Sequence, residues 1–387
     1  MLKASRISVS AVFLLHGMIV SNWLSRIPAV QQQLGLKVNV LGVALLGASL
    51  GGLVAMSLIS RVISRFGSAR VTTWASLGFC AALPLPGLAQ GAVSLTLFLI
   101  VYGAMAGSMD VSMNTQAVEL ERAVNRPIVV GFHALYSLGG MLGAAMGGLA
   151  AAWRIPPLQH LPVAALILAV GTVFATRRLL VGQKAIEDRG PRPKIPLKPL
   201  IGLAVVAFCV LLGEGAVADW SAVYLNRFTG QGLAATGYAA FSLMMAAGRF
   251  TGDRMRAHLG SVAMVRWGSA LAAVGLGVGL AAGNIIPALI GFACAGAGWA
   301  TTFPIAAAAA GHKTGSRPEA GVAAVTAVGF FAFLISPPLI GFLAEAWTLR
   351  AALFVVVALS AVAALLAPAV SVGQVGSLHP NANRPAE

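Results

Sequence analysis

The chain has 387 residues, 58% of them hydrophobic and only 10% charged, against roughly 25% charged in soluble domains. That is too little charge to cover a water-facing surface, and the mean hydropathy of +0.86 places the chain in a bilayer instead. The net charge of +15 does not indicate a nucleic-acid binder, because the basic residues punctuate apolar runs and form no basic domain of their own.

A membrane crossing needs about 20 apolar residues as a helix, and backbone groups in lipid are satisfied only in helices or closed barrels. The apolar runs are continuous rather than alternating, so an all-α integral membrane protein is expected. Twelve transmembrane helices are predicted, at about 7–28, 38–60, 71–89, 94–118, 128–152, 158–180, 200–223, 233–253, 262–282, 284–310, 319–344 and 348–369. Lys3 and Arg6 precede a first run that ends in SNWLSRIP with no small-residue cleavage site, so it reads as a membrane helix and not a signal peptide. The stretch GQKAIEDRGPRPKIPLKP, residues 182–199, carries four prolines and mixed charges and reads as a linker. It separates two six-helix halves, 1–181 and 200–370, and the polar tail 371–387 is expected to be disordered.

With the N terminus in the cytoplasm, 21 of the 26 Lys and Arg residues fall on the cytoplasmic side, leaving Arg26, Lys37, Arg154, Arg227 and Arg350 outside. This bias predicts both termini cytoplasmic and an inner (plasma) membrane protein. The halves repeat faintly. HGMIVSNW (16–23) in the first span matches GEGAVADW (213–220) in the seventh, and SRVISRFG (60–67) matches DRMRAHLG (253–260). Gly131 and Gly139 in the fifth span have the same separation as Gly321 and Gly329 in the eleventh. Duplicated halves with a site between them are a transporter architecture.

The candidate site residues are polar groups inside apolar spans. Asp110 lies near the middle of the fourth span, and Asn114, one turn on, shares its helix face. A carboxylate at a helix centre costs roughly 2.5–3.5 kcal/mol on insertion scales and usually marks a pathway. A protonatable cavity group with a hydrogen-bonding neighbour is one reading; a pair that locks two helices is the other. Glu214 in the seventh span has no charged neighbour at i±3 or i±4. It reads as a second protonatable group or as a protonated structural Glu, with Gly213 and Gly215 permitting close backbone approach or a helix break.

Asp219 and Arg26 lie nearer the outer face, with Asn22 one turn before Arg26. An outer gate, in which Arg26 approaches Asp219, stands beside simple snorkelling of Arg26. Trp23 and Trp220 read as aromatic-belt residues, or as stacking platforms for a sugar. His16 and His133 are relay or packing residues. Glu119, Glu121, Asp253 and Glu345, near helix ends, are expected to pair with Arg122, Arg126, Arg249 or Arg254. Gly139, Gly143 and Gly147 form a helix-packing seam. Cys80, Cys209 and Cys294 lie singly in apolar runs, with neither disulfide nor metal spacing. No catalytic constellation, metal site, cofactor motif or phosphate-cradling loop is present, so neither an enzyme nor an ATP-driven pump is expected.

Five stretches carry a resemblance: DVSMN (110–114), GFHALYSLGGMLGA (131–144), GEGAVADWSAVYL (213–225), GRFTGDR (248–254) and PPLIGFLAE (337–345). With twelve helices in two halves they resemble the major facilitator superfamily, in the branch of the YbjJ-type inner-membrane proteins and, more distantly, the fucose–proton symporters. The resemblance implies the superfamily's fold. It also implies a proton-coupling role for Asp110, since the fucose symporters carry a Glu four residues before an Asn in this span. One departure stands out. The superfamily's Asp-Arg-x-Gly loop reads Ser64-Arg65-Phe66-Gly67 here, without the Asp. The function expected is secondary active transport of a small, sugar-like polar solute by alternating access, coupled to protons as symport, in a monomer. The alternatives are proton-driven export of drugs or metabolites and, in another class, a non-transporting membrane sensor or scaffold.

Overall fold

The structure is a computed structural model that describes residues 2–180, 198–315 and 317–371. Most of the expected linker (182–197) and nearly all of the expected tail (372–387) lie outside the described residues. Among those described there is no strand. Before the linker come α1 (Leu2–Leu24), α2 (Ile27–Leu34), α3 (Val38–Phe66), α4 (Ser68–Ala82), α5 (Ala92–Val124), α6 (Val129–Ala152) and α7 (Pro157–Ala175). After it come α8 (Ile201–Thr229), α9 (Gln231–Ala234), α10 (Thr236–Leu259), α11 (Ser261–Ala282), α12 (Ile285–Trp299), α13 (Thr302–Lys313), α14 (Pro318–Ala346) and α15 (Leu349–Leu365).

Among the described residues, ten helical segments are long and apolar enough to cross a bilayer. α10 falls short in hydropathy because Arg249, Asp253, Arg254 and Arg256 crowd its second half, and α15 falls short in length at 17 residues. Several helices outrun the expected spans. α5 has 33 residues, about 50 Å at 1.5 Å per residue, so its charged end projects beyond roughly 30 Å of hydrocarbon.

At two of the breaks within expected spans stands a proline, although α7 and α14 run unbroken through Pro162, Pro337 and Pro338. A proline lacks the N–H that would bond the carbonyl four residues earlier, and its ring crowds that carbonyl. Pro28 stands four residues after Leu24, where α1 ends and α2 begins after Ser25 and Arg26. Pro304 stands four residues after Ala300, in the gap between α12 and α13. The tenth span, expected to be continuous over 284–310, is therefore two helices.

α1 packs on α6, α3 on α5, α8 on α14 and α10 on α12. Lipid tails are as apolar as Leu, so helix association in a bilayer depends on close packing of small residues and on interhelical hydrogen bonds. The glycine seam supplies the first: a Cβ on Gly139, Gly143 or Gly147 would overlap the backbone or side chains of Leu14, Met18 and Ser21 on α1 and of Ser25 just past its end. The helices before the linker meet those after it chiefly where α6 lies along α10 and α3 along α14. There Ser49 donates to the Phe333 carbonyl at 3.0 Å.

Of the helix-end acids expected to pair with Arg, Glu119 has Arg122 within electrostatic reach, but hydrogen bonds to other groups hold Glu119 and Glu121. Glu119 accepts hydrogen bonds from the Ser68 hydroxyl at 2.9 Å and the Gln116 amide at 3.1 Å. Glu121 accepts from the backbone N–H groups of Ile128 and Val129, at 2.7 and 3.0 Å. These are unsatisfied donors at the start of α6, where the helix dipole also favours negative charge. A carboxylate near such amides is satisfied with less side-chain ordering than an exposed ion pair requires.

Candidate functional site

Asp110 and Asn114 are joined as their spacing predicts. The Asn114 amide donates to the Asp110 carbonyl at 2.9 Å and to its carboxyl Oδ1 at 3.3 Å. The Asn114 oxygen lies 3.0 Å from Nε2 of His133 on α6, and with the Asn114 amide turned toward Asp110 that ring nitrogen is the donor. The His133 ring is held edge-on to Phe13, centroids 5.2 Å apart. Its backbone carbonyl accepts from Nη1 of Arg249 on α10 at 3.2 Å, and Nη1 also donates to the Ser137 hydroxyl at 2.7 Å. Nε of Arg249 reaches the Ala300 carbonyl at 3.5 Å, the group that Pro304 leaves without a helix donor.

Glu214 lies within electrostatic reach of Arg249, and Tyr136 within reach of Asp110, Glu214, Arg249 and Tyr238. Polar groups from both sides of the linker thus gather around one region. α8 runs unbroken through Glu214, so Gly213 and Gly215 serve close approach and not a break. A Cβ on Gly213 would come within 2.7 Å of the Trp299 ring, and one on Gly215 within 2.9 Å of Phe333.

His16 packs among Phe79, Tyr136 and the Met113 sulfur, with Nδ1 3.3 Å from that sulfur. Asn22 is fully buried. Its amide donates to the Met18 carbonyl at 2.8 Å, while its Oδ1 has no partner among the described residues. Trp23 and Trp220 are also buried, at 2% and 0% exposure. This corrects the aromatic-belt expectation, since belt residues face lipid headgroups. Trp23 meets Tyr102 edge-on at 6.4 Å, and the Trp220 indole N–H has no protein partner.

Arg26 overturns both of its expectations. At 1% exposure it does not snorkel. It also forms no ion pair with Asp219: its Nη2 donates to the Ile155 carbonyl at 2.6 Å and its Nη1 to the Gly147 carbonyl at 3.4 Å. Arg26 sits in the α1–α2 break, and that break turns it toward the α6–α7 connection. Asp219 instead lies within electrostatic reach of Tyr102 and Tyr238.

Sequence reasoning gave Arg249 only as a cytoplasmic charge that pairs with a helix-end acid, and it missed its place in the site and the tyrosines. A compositional signal was available: the chain has four tyrosines, and Tyr102, Tyr136 and Tyr238 lie within electrostatic reach of one another here. Pro304 was equally visible as a sign of the broken tenth span.

A sequence model of the Major Facilitator Superfamily matches residues 9–323. The chain belongs to this superfamily. It is similar to an uncharacterised MFS-type transporter of Yersinia pestis, 32% identical over 90% of this chain and 91% of the relative. It is also similar to the membrane protein MosC of Rhizobium meliloti, 30% identical over 94% and 89%. Among solved structures, the nucleoside transporter NupG in a D323A mutant form superposes with a TM-score of 0.75 at 10% identity, covering 94% of this chain and 98% of that one. The D-xylose–proton symporter superposes with a TM-score of 0.73 at 16% identity, covering 94% and 97%. At these identities the structural likeness concerns the fold. As a major facilitator protein the chain is a multi-pass integral membrane transporter of small solutes, not an enzyme.

Proposed function

We propose that this major facilitator protein is a proton-coupled symporter of a small, sugar-like polar solute, working by alternating access. Twelve spans form two rocking bodies, 1–181 and 200–370, with both termini on the cytoplasmic side of a bacterial plasma membrane. The protein works as a monomer. The observation that carries the reading is the polar path from Asp110 through Asn114 and His133 to Arg249, with Glu214 in reach of Arg249. It gathers two membrane-embedded carboxyl groups from opposite sides of the linker around Arg249, which bonds the His133 backbone carbonyl and lies within electrostatic reach of Glu214.

A carboxyl group in a membrane is useful because a proton switches its charge off. Protonated, it is inexpensive to enclose in a dry intermediate; ionised, it holds water in the cavity. Coupling arises when the solute favours one of these forms. Asn114 orients Asp110, His133 extends the path, and Glu214 answers from α8. The buried Asn22 oxygen and Trp220 indole N–H offer an acceptor and a donor to the solute's hydroxyls. Asp219, Arg26 and Trp23 shape the outer side, and His16 packs the wall. The similarity in fold to the D-xylose–proton symporter supports a sugar-sized solute.

A thermal-shift screen against sugars and sugar acids identifies the solute, since a ligand that binds only the folded form raises its melting point. In proteoliposomes, Asp110→Asn and Glu214→Gln are each expected to keep the fold, and at least one to abolish uphill uptake while downhill exchange persists. If both variants accumulate solute as the parent does, the proton role is wrong. In a cysteine-free background, an impermeant thiol reagent added outside is expected to label Arg227→Cys and spare Arg126→Cys; the reverse would invert the orientation.

A further inference from the structure

At the end of the bundle that carries α2 and α9, a cavity of about 760 Å³ opens between the two sets of helices. That volume falls within the roughly 300–1,000 Å³ of small-molecule sites. Arg26, Gln32 and Arg154 line it from one set, Thr229 and Gln231 from the other, and the two sets are joined across it by a Gln231-to-Gln32 hydrogen bond of 2.6 Å. Its wall holds two guanidinium groups and no carboxylate.

Arg26 is the unusual member. It is buried, yet among the described residues no acid pairs with it, and its Nε has no partner. Within its electrostatic reach lies His160, also buried, with neither ring nitrogen partnered. Burying a cation without a counter-charge is strongly unfavourable, and buried polar atoms without partners are rare in native proteins. The two carbonyls that Arg26 holds account for its role as a clamp on the α6–α7 turn. They do not account for the missing counter-charge or the unused Nε. Lys37 before α3, Arg227 in the last turn of α8 and Arg350 in the first turn of α15 add positive charge at helix ends on the same side of the bundle, and a field of one sign favours anions.

We infer that this vestibule is an anion subsite, in which a soluble organic acid of sugar size sets its carboxylate or phosphate against Arg26 and Arg154. Gln32 and Gln231 meet its hydroxyls from either set of helices. An anion seated there supplies the charge that Arg26 lacks, and the guanidinium fork suits a two-oxygen acid. Its role as the solute's first contact rests on the transport reading above. The binding does not, so the uptake assay can fail while this site stands, and the reverse.

The test is isothermal titration calorimetry on the full chain in neutral detergent, with D-glucuronate and D-glucose as probes. Glucuronate is expected to bind at least roughly tenfold more tightly than glucose, and its affinity to fall with added salt. Arg26→Lys keeps the charge but loses the fork, and is expected to weaken glucuronate binding about tenfold. Arg154→Gln, at an exposed position, is expected to weaken it about threefold. If Arg26→Lys does not fold, Arg154→Gln and the salt series decide alone. Equal binding of the two sugars overturns the proposal, as does glucuronate binding unchanged in the variants, which leaves Arg26 a clamp only. Displacement of glucuronate by phosphatidylglycerol also overturns it, by making the site a lipid headgroup's.

Discussion

Arg249 of α10 donates a 2.7 Å hydrogen bond to the hydroxyl of Ser137 on α6. The bond joins the helices before the linker to those after it, and the same Arg249 nitrogen also holds the His133 carbonyl. An alternating-access cycle that separates α6 from α10 at this level has to break both bonds. Arg249→Gln removes the charge and the fork together, and is expected to lower the transport rate at least tenfold. Ser137→Ala leaves the His133 carbonyl bond in place and is expected to lower it by no more than about threefold. Initial rates in proteoliposomes at equal protein content check both; equal effects would assign the whole role of Arg249 to the Ser137 bond, and an Arg249→Gln variant as fast as the parent would show that these bonds do not limit transport.

The His133–Asn114 bond is an interhelical side-chain bond, worth roughly 0.6 kcal/mol on average in membranes and up to about 1.7. A double-mutant cycle with His133→Phe and Asn114→Ala, read by reversible unfolding in mixed micelles, is expected to return a coupling in that range. Strict additivity would mean that the two side chains do not support each other. Asn114→Ala is also expected to shift the pH dependence of uptake, since Asp110 loses the amide that holds its Oδ1.

Pro304 holds the tenth span open. Pro304→Ala restores an N–H that can bond the Ala300 carbonyl, in competition with the 3.5 Å contact from Arg249. The variant is expected to melt at a higher temperature and to transport more slowly, the exchange of stability for activity common at functional sites. A variant as fast as the parent would make the break incidental.

The glycines of α6 are not equivalent. Around Gly131 there is nothing within 4 Å of a new Cβ, whereas at Gly143 it would overlap Met18 and Ser21. Gly131→Ala is expected to be neutral or to stabilise by up to about 1 kcal/mol, from helix propensity alone. Gly143→Ala is expected to destabilise by about 2 kcal/mol or more, because α1 must move away. Melting temperatures of the two purified variants check the contrast.

Helical class, membrane environment, approximate span positions, the glycine seam and the Asp110–Asn114 pair were all legible in the sequence. Each depends on local chemistry: apolar run length, residue size, and an i,i+4 spacing that any helix turns into a contact. Tertiary structure decided what depends on partners distant in the chain. It placed Trp23 and Trp220 inside the bundle, because span position gives depth but not which face of a helix meets lipid. It brought Arg249 from α10 onto α6, although by sequence it looked like one more cytoplasmic charge. It turned Arg26 from Asp219 to the carbonyls of Gly147 and Ile155, because a break at Pro28 redirects the chain; those carbonyls accept its hydrogen bonds without supplying a counter-charge.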